Sequence, residues 1–198
     1  MNNQVRKLPR IRGNFWHKIK YYNQIWLDGL YMILPFFALY SKRYNDRKDF
    51  YDITYQLENA LNLTWEDDKK LMVHGYDGQY LDQTKKMIWS NPLNGHSQIV
   101  WLRACGWYEM ALVDVLEIID DDSLKQKINN LIKKSIDGLL LYLDKNTNMF
   151  YQVPNMQSKD GNYLETSGTL MVAYAILKAI RLNALPKSYQ EIGLNILY

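Results

Sequence analysis

The chain has 198 residues, 47% of them hydrophobic, which is room for one domain with a substantial core. A net charge of +3 with both signs mixed along the chain excludes a nucleic-acid binder's charge pattern, and the basic residues 6–12 read as a solvated arm. The single Cys105 excludes an intramolecular disulfide and a cysteine-based zinc site, and is compatible with a reducing cytoplasm.

Residues 1–18 contain basic groups but no apolar run of signal-peptide length, so no export signal is expected. Residues 25–40 are apolar, yet shorter than the ~20 residues a bilayer needs and interrupted by Asp28 and Pro35, so they predict a buried helix and no membrane span. Within them Leu27, Leu30, Tyr31, Leu34, Phe37 and Ala38 recur at helical spacing. Asp46 is placed to cap a second helix that runs through Phe50, Ile53, Leu57 and Leu61. From residue 63 to 94 the helical period is lost. "LMVHGYDGQYL" alternates around a Gly-Tyr-Asp-Gly turn and "MIWSNPLNGHS" carries Asn-Pro and Asn-Gly turn signals, which predicts a long functional loop with a small hairpin.

A third helix is expected from Arg103 to Ile119, closed by "DDDS", with Ser123 starting a fourth that buries Leu124, Ile128, Leu131, Ile132, Ile136 and Leu139. Residues 144–163 are again rich in Asn, Asp and Gly and read as a loop. A fifth helix is expected over 167–182 and a sixth over 186–198, with Pro186 in its first turn. The six helices fall into three hairpins with short links inside each pair and long, aromatic links between pairs. The long links share one end of such a bundle, where a ligand site is expected.

Asp28 stands among Phe15, Trp26 and Tyr31. Two readings are open: a first-turn acid favoured by the helix dipole, or a carboxyl whose pKa an apolar surround raises, making it a general acid. In "VWLRACGWYEM", Trp101 and Trp107 suit either the core or a sugar-stacking wall, and Arg103 between them suits bidentate clamping of a carboxylate. His17, His74, Asp77 and His96 are the other polar candidates, although an isolated loop histidine is commonly a surface hydrogen-bonding group. No HExxH, Cys/His cluster, calcium loop, P-loop, GxGxxG or GxSxG occurs, so neither metal nor cofactor is expected.

Taken in order, "FWHK", "WLDGLYM", "HGYD", "MIWSNPLNGHSQIVWLRACGWYEMALVDVLE" and "GNYLETSGTLMVAYAILKAI" resemble the unsaturated rhamnogalacturonyl hydrolases, glycoside hydrolase family 105, related to family 88. The resemblance implies an all-α fold, a six-hairpin α/α toroid, of which residues 1–198 would form one partial domain of three hairpins with the N-terminal half of the family domain absent. It implies hydration of the vinyl ether of a 4,5-unsaturated uronyl oligosaccharide, with Asp28 as the catalytic acid/base. His17, Lys18, Trp26, His74, Trp101, Arg103 and Trp107 would be the substrate-binding residues. Two positions depart from the family pattern: Leu102 replaces a Gly in Trp-Gly-Arg, and Asn91 replaces an Asp in Trp-Ala-Asp-Pro.

The expected function is therefore pectin-related carbohydrate metabolism in the cytoplasm, with an unsaturated oligosaccharide as partner, neither nucleic acid nor membrane, and self-association through open helix faces. The alternative from another class is a truncated non-catalytic remnant serving as a sugar-binding or assembly module. A different reaction on the same scaffold, such as epimerisation, is a third expectation, because fold does not determine function.

Overall fold

The computed structural model describes residues 2–44 and 46–197. A short helix α1 (Asn2–Val5) is followed by a hairpin of β1 (Arg10–Ile11) and β2 (Asn14–Phe15). Its two turn residues, Arg12 at φ 49° and Gly13 at φ 93°, take the positive φ that a two-residue hairpin turn demands. Strand β3 (Gln24–Trp26) runs directly into helix α2 (Leu27–Arg43), and α3 (Lys48–Thr64) returns beside it. A short ladder joins β4 (Trp65–Glu66) to β5 (Leu71–Met72), and β6 (Gly75–Asp77) pairs back with β3. Helices α4 (Leu102–Ile118), α5 (Asp122–Leu140), α6 (Thr166–Arg181) and α7 (Gln190–Leu197) complete the order. The last helix starts later than expected: Pro186 is extended and is followed by a single 3-10 turn (Lys187–Tyr189) before α7, and Tyr198, the expected end, lies outside the described residues.

Helices α2, α4 and α6 form one layer, each packed on the next, and α3 and α5 lie behind them. The layer is parallel: Tyr31 in the second turn of α2 meets Trp107 in the second turn of α4, and Lys42 near the end of α2 donates to the Ile118 carbonyl at the end of α4. Small residues allow the α4–α6 approach; a Cβ added to Gly106 would stand 2.8 Å from Met171. Leu27, Leu34, Phe37, Ile53, Leu57, Leu112, Ile132 and Ile176 are fully buried between the layers, each such aliphatic or aromatic side chain contributing about 1.5–3 kcal/mol. The N-termini of α2, α4 and α6 therefore share one end, and the long connections gather there. Among the described residues no helix is long and apolar enough to cross a membrane.

Four local expectations need correction. The basic arm is not solvated: Arg6 pairs with Asp46 and Asp49, and Arg10 with both oxygens of Asp52 at 2.6 and 2.7 Å. Those acids recur every three residues at the start of α3 and so present one face to the arm. For the same reason Asp46 does not cap α3, whose N-cap is Arg47 with no side-chain cap bond. Asp121, not Ser123, caps α5, its carboxylate accepting from the backbone N–H groups of Ser123 and Leu124. Finally, "GYDG" is not a hairpin turn; Gly75–Asp77 is a strand, in register Trp26↔Gly75, Ile25↔Tyr76 and Gln24↔Asp77.

Candidate active site

The β3–β6 pairing builds the site. The Leu27 N–H donates to the His74 carbonyl at 3.2 Å, so the first turn of α2 and the residue before β6 are held side by side. His74 Nε2 then lies 3.2 Å from Asp28 Oδ2, with both side chains about one quarter to one third exposed (26% for Asp28, 31% for His74). The Trp26 ring meets His74 edge-on at 5.0 Å between centroids and is fixed by its indole N–H donating to Gln24 Oε1 at 2.9 Å.

Burial pushes the Asp28 carboxyl up. The hydrogen bond and charge of His74, Asp28's own backbone N–H and the nearby His17 together outweigh that and leave it below the ordinary carboxylate value. This corrects the expectation of a raised pKa: the apolar surround is present, but Asp28 has an imidazole partner. Asp28 is therefore ionised at pH 7.

His17 stacks on Trp26 at 4.7 Å and 6° between ring planes, and Tyr21 packs on the same indole at 4.6 Å. Burial pushes the His17 imidazole down to about 4 against the pull of Asp28, so the ring is neutral at pH 7. Its Nδ1 is buried without a hydrogen-bond partner. Gly29 makes this approach possible, because a Cβ there would stand 2.7 Å from that Nδ1.

Trp26, His74 and Trp101 line one open cavity of about 310 Å³. Trp89 and Ile99 complete its apolar wall, and the rest of the lining, Gly75, Ser97 and Gln98, is uncharged. Trp101 reaches it as the extended N-cap residue of α4. Arg103 and Trp107 share the next face of α4 at i, i+4 spacing. Trp107 packs on Tyr31 at 4.9 Å, while Arg103 is exposed and makes no cation–π contact with Trp101 or Trp107. Lys18 is exposed and lines a different cavity, of about 300 Å³, beside His17 and Met32.

The structure thus joins Asp28, His74, Trp26 and Trp101 and sets His17 behind Trp26. Trp107 lies on the α2–α4 seam, Arg103 is exposed one turn before it, and Lys18 lines a separate cavity. His96 belongs to the scaffold, with Nδ1 2.6 Å from Glu66 Oε1, as does Asp77, whose carboxylate accepts from the N–H groups of Gln79 and Met87. Trp89 was absent from the sequence-based candidates; the signal was a lone indole in a polar, turn-rich segment. Among the described residues no three His, Cys, Asp or Glu side chains are grouped to hold a metal ion.

An aromatic cavity thus lies beside an ionised carboxylate at the loop end of stacked helical hairpins, an arrangement of α/α-toroid type. A glycoside hydrolase from family 105 of Clostridium acetobutylicum (C. acetobutylicum ATCC 824) superposes with a TM-score of 0.91 at 37% identity, covering 98% of this chain and 53% of that one. The unsaturated glucuronyl hydrolase of Bacillus sp. GL1, at 11% identity and a TM-score of 0.65, shares the fold over 91% of this chain and 47% of that one. Protein Atu3128 of Agrobacterium fabrum is 37% identical over 154 residues, 78% of this chain and 63% of its own length. The profile of Glycosyl Hydrolase Family 88 matches residues 1–194, and the chain belongs to that family. It spans about half of the solved relatives and forms about half of their toroid.

Proposed function

We propose that this chain carries the acid/base half of a hydrolase for 4,5-unsaturated uronyl oligosaccharides, with rhamnogalacturonan fragments from pectin as substrate and the cytoplasm as the place of action. The observation that carries the reading is the Asp28–His74 pair opening beside the Trp26–Trp101 cavity. In this reaction a proton passes from Asp28 to C4 of the double bond while water adds at C5 and returns a proton to the carboxylate. The ring oxygen then leaves C5, which becomes a ketone, and the resulting hemiacetal at C1 expels the remaining sugar as an alcohol. One water is consumed and Asp28 ends as it began.

The acid form that the first step needs arises on binding. A sugar in the cavity removes water from the partly exposed carboxyl, strengthening the burial effect that already pushes its pKa up. The substrate's own carboxylate adds to this. Arg103, exposed and unpaired one turn before Trp107, supplies the cation for that carboxylate.

The test is the ultraviolet absorbance of the conjugated double bond during incubation with unsaturated rhamnogalacturonan disaccharide. Asp28→Asn is expected to slow its loss by about 10²–10⁴-fold. Equal rates in the two proteins remove Asp28 from the mechanism. Indole fluorescence quenching with undiminished absorbance in the wild type marks a sugar-binding module instead, and a product of unchanged mass marks an epimerase.

A further inference from the structure

The inner helix layer repeats one seam. Tyr31 is the fifth residue of α2 and meets Trp107, the sixth of α4, at 4.9 Å between ring centroids. Gly106, the fifth residue of α4, meets Met171, the sixth of α6, so closely that a Cβ on the glycine would stand 2.8 Å from that side chain. At each step the fifth residue of one inner helix lies against the sixth of the next, which is how a stacked hairpin repeat propagates.

The two ends of the layer are the unused halves of this same seam. The fifth residue of α6 is Leu170, 42% exposed, followed at i+4 and i+7 by Tyr174 and Leu177 along an open groove of about 390 Å³. The sixth residue of α2 is Met32, 57% exposed, followed at i+4 and i+7 by Phe36 and Leu39. The two rows have the same spacing and the same height in the layer, and neither contains a charge. The cations beside the groove, Lys178 and Arg181, are already paired with Asp114 and Glu117, so covering it strands no ion. Three of six hairpins turn through half a circle. A rotation of 180° therefore carries the α2 row of one copy onto the α6 row of another and brings the remaining two rows together as well. A head-to-tail contact that closes after two copies leaves neither flank open.

We propose that two copies of this chain close a six-hairpin ring about a twofold axis, with Leu170, Tyr174 and Leu177 of each packed on Met32, Phe36 and Leu39 of the other. Both Asp28–His74 pairs then open at the same end of the ring, since the axis runs along the parallel inner helices. The cavity of about 300 Å³ beside His17, lined by Met32 and Lys18, gains α6 of the second copy as its outer wall. Closure depends on the helix flanks alone and holds whatever sugar the aromatic cavity takes.

Sedimentation velocity of the full chain over a concentration series is expected to show a monomer–dimer equilibrium that stops at the dimer. Met32→Glu and Leu170→Lys each put a charge into both contacts of the ring, at positions exposed in the single chain, and each is expected to weaken dimerisation by at least about tenfold. Mixed in equal amounts, the two variants form a heterodimer with one Glu–Lys contact and one wild-type contact, and its affinity is expected to return to within about threefold of wild type. That recovery also shows that both variants are folded. A chain that stays monomeric, a series that grows past the dimer, or a mixture that associates no better than its components overturns the ring. A dimer lost in Met32→Glu and untouched by Leu170→Lys is an α2-on-α2 pair and overturns it too.

Discussion

At the scale of single residues, the site is governed by what Asp28 touches. His74 holds the carboxyl below its ordinary pKa, so removing the imidazole moves it up. If Asp28 works as an acid, kcat/KM declines as pH rises through its pKa in the free protein. His74→Ala is therefore expected to move that descending limb to higher pH, while Asp28→Asn abolishes the limb. A pH–rate profile in which the ascending limb moves instead would make Asp28 a base. Asp28 in a first helical turn was legible from the sequence, as were its aromatic neighbours. The partner was not: His74 is 46 positions away, and only the pairing of β3 with β6 brings the two together.

At the scale of elements, Glu109 shows what helix packing does to a charge. It is fully buried on α4 against Ser135 of α5, with Ser135 Oγ 3.0 Å from its Oε2 and 2.9 Å from the Leu131 carbonyl. The Ser135 hydroxyl has one proton to share between that carboxylate oxygen and the Leu131 carbonyl, and Glu109 Oε1 is buried without a hydrogen-bond partner. Burial pushes this carboxyl from 4.5 to about 8, opposed by the Ser135 hydrogen bond. The sign follows: between those values the folded state holds a proton the unfolded chain has released, so stability is greatest below that window and falls as pH rises through it. The slope is up to about 1.4 kcal/mol per pH unit, or about 3–5 °C in melting temperature for a chain of this size. Melting curves of Glu109→Gln between pH 5 and 8 are expected to lose this slope; an unchanged slope would place the titrating group elsewhere. The seam between α4 and α6 works differently, since Lys178 is matched by Asp114 at 2.8 Å and Glu117 at 2.7 Å. Helix periodicity located α4, α6 and the start of α5 to within a residue, because burial of one face repeats along the chain, while α7 begins four residues after the expected start. Which buried positions carry charge followed from the tertiary neighbours.

At the scale of the whole molecule, three hairpins leave apolar helix surface uncovered. Met32, Phe36 and Leu39 lie at i, i+4 and i+7 on α2 and are 57%, 48% and 59% exposed, while Leu170, Tyr174 and Leu197 line the flank at α6 and α7. An apolar stripe of this length favours association. The chain by itself is expected to associate with rising concentration in sedimentation velocity, and Phe36→Lys with Leu39→Lys to return it toward monomer. A wild-type chain that stays monomeric at high concentration would show that these faces are tolerated in water.

What the amino-acid sequence determined by itself was the periodic part of the protein: the helices, their grouping into three hairpins, the end at which the loops gather, and the ordered motifs that mark the family. Those are local quantities, set by which residue lies three or four positions from which. The tertiary structure alone decided that "GYD" is a strand, that the basic arm is pinned to α3, that Asp28 has an imidazole partner, and that Trp89 joins Trp26 and Trp101 around one cavity. Each of these depends on residues far apart in the chain meeting in space, and no local pattern encodes such a meeting.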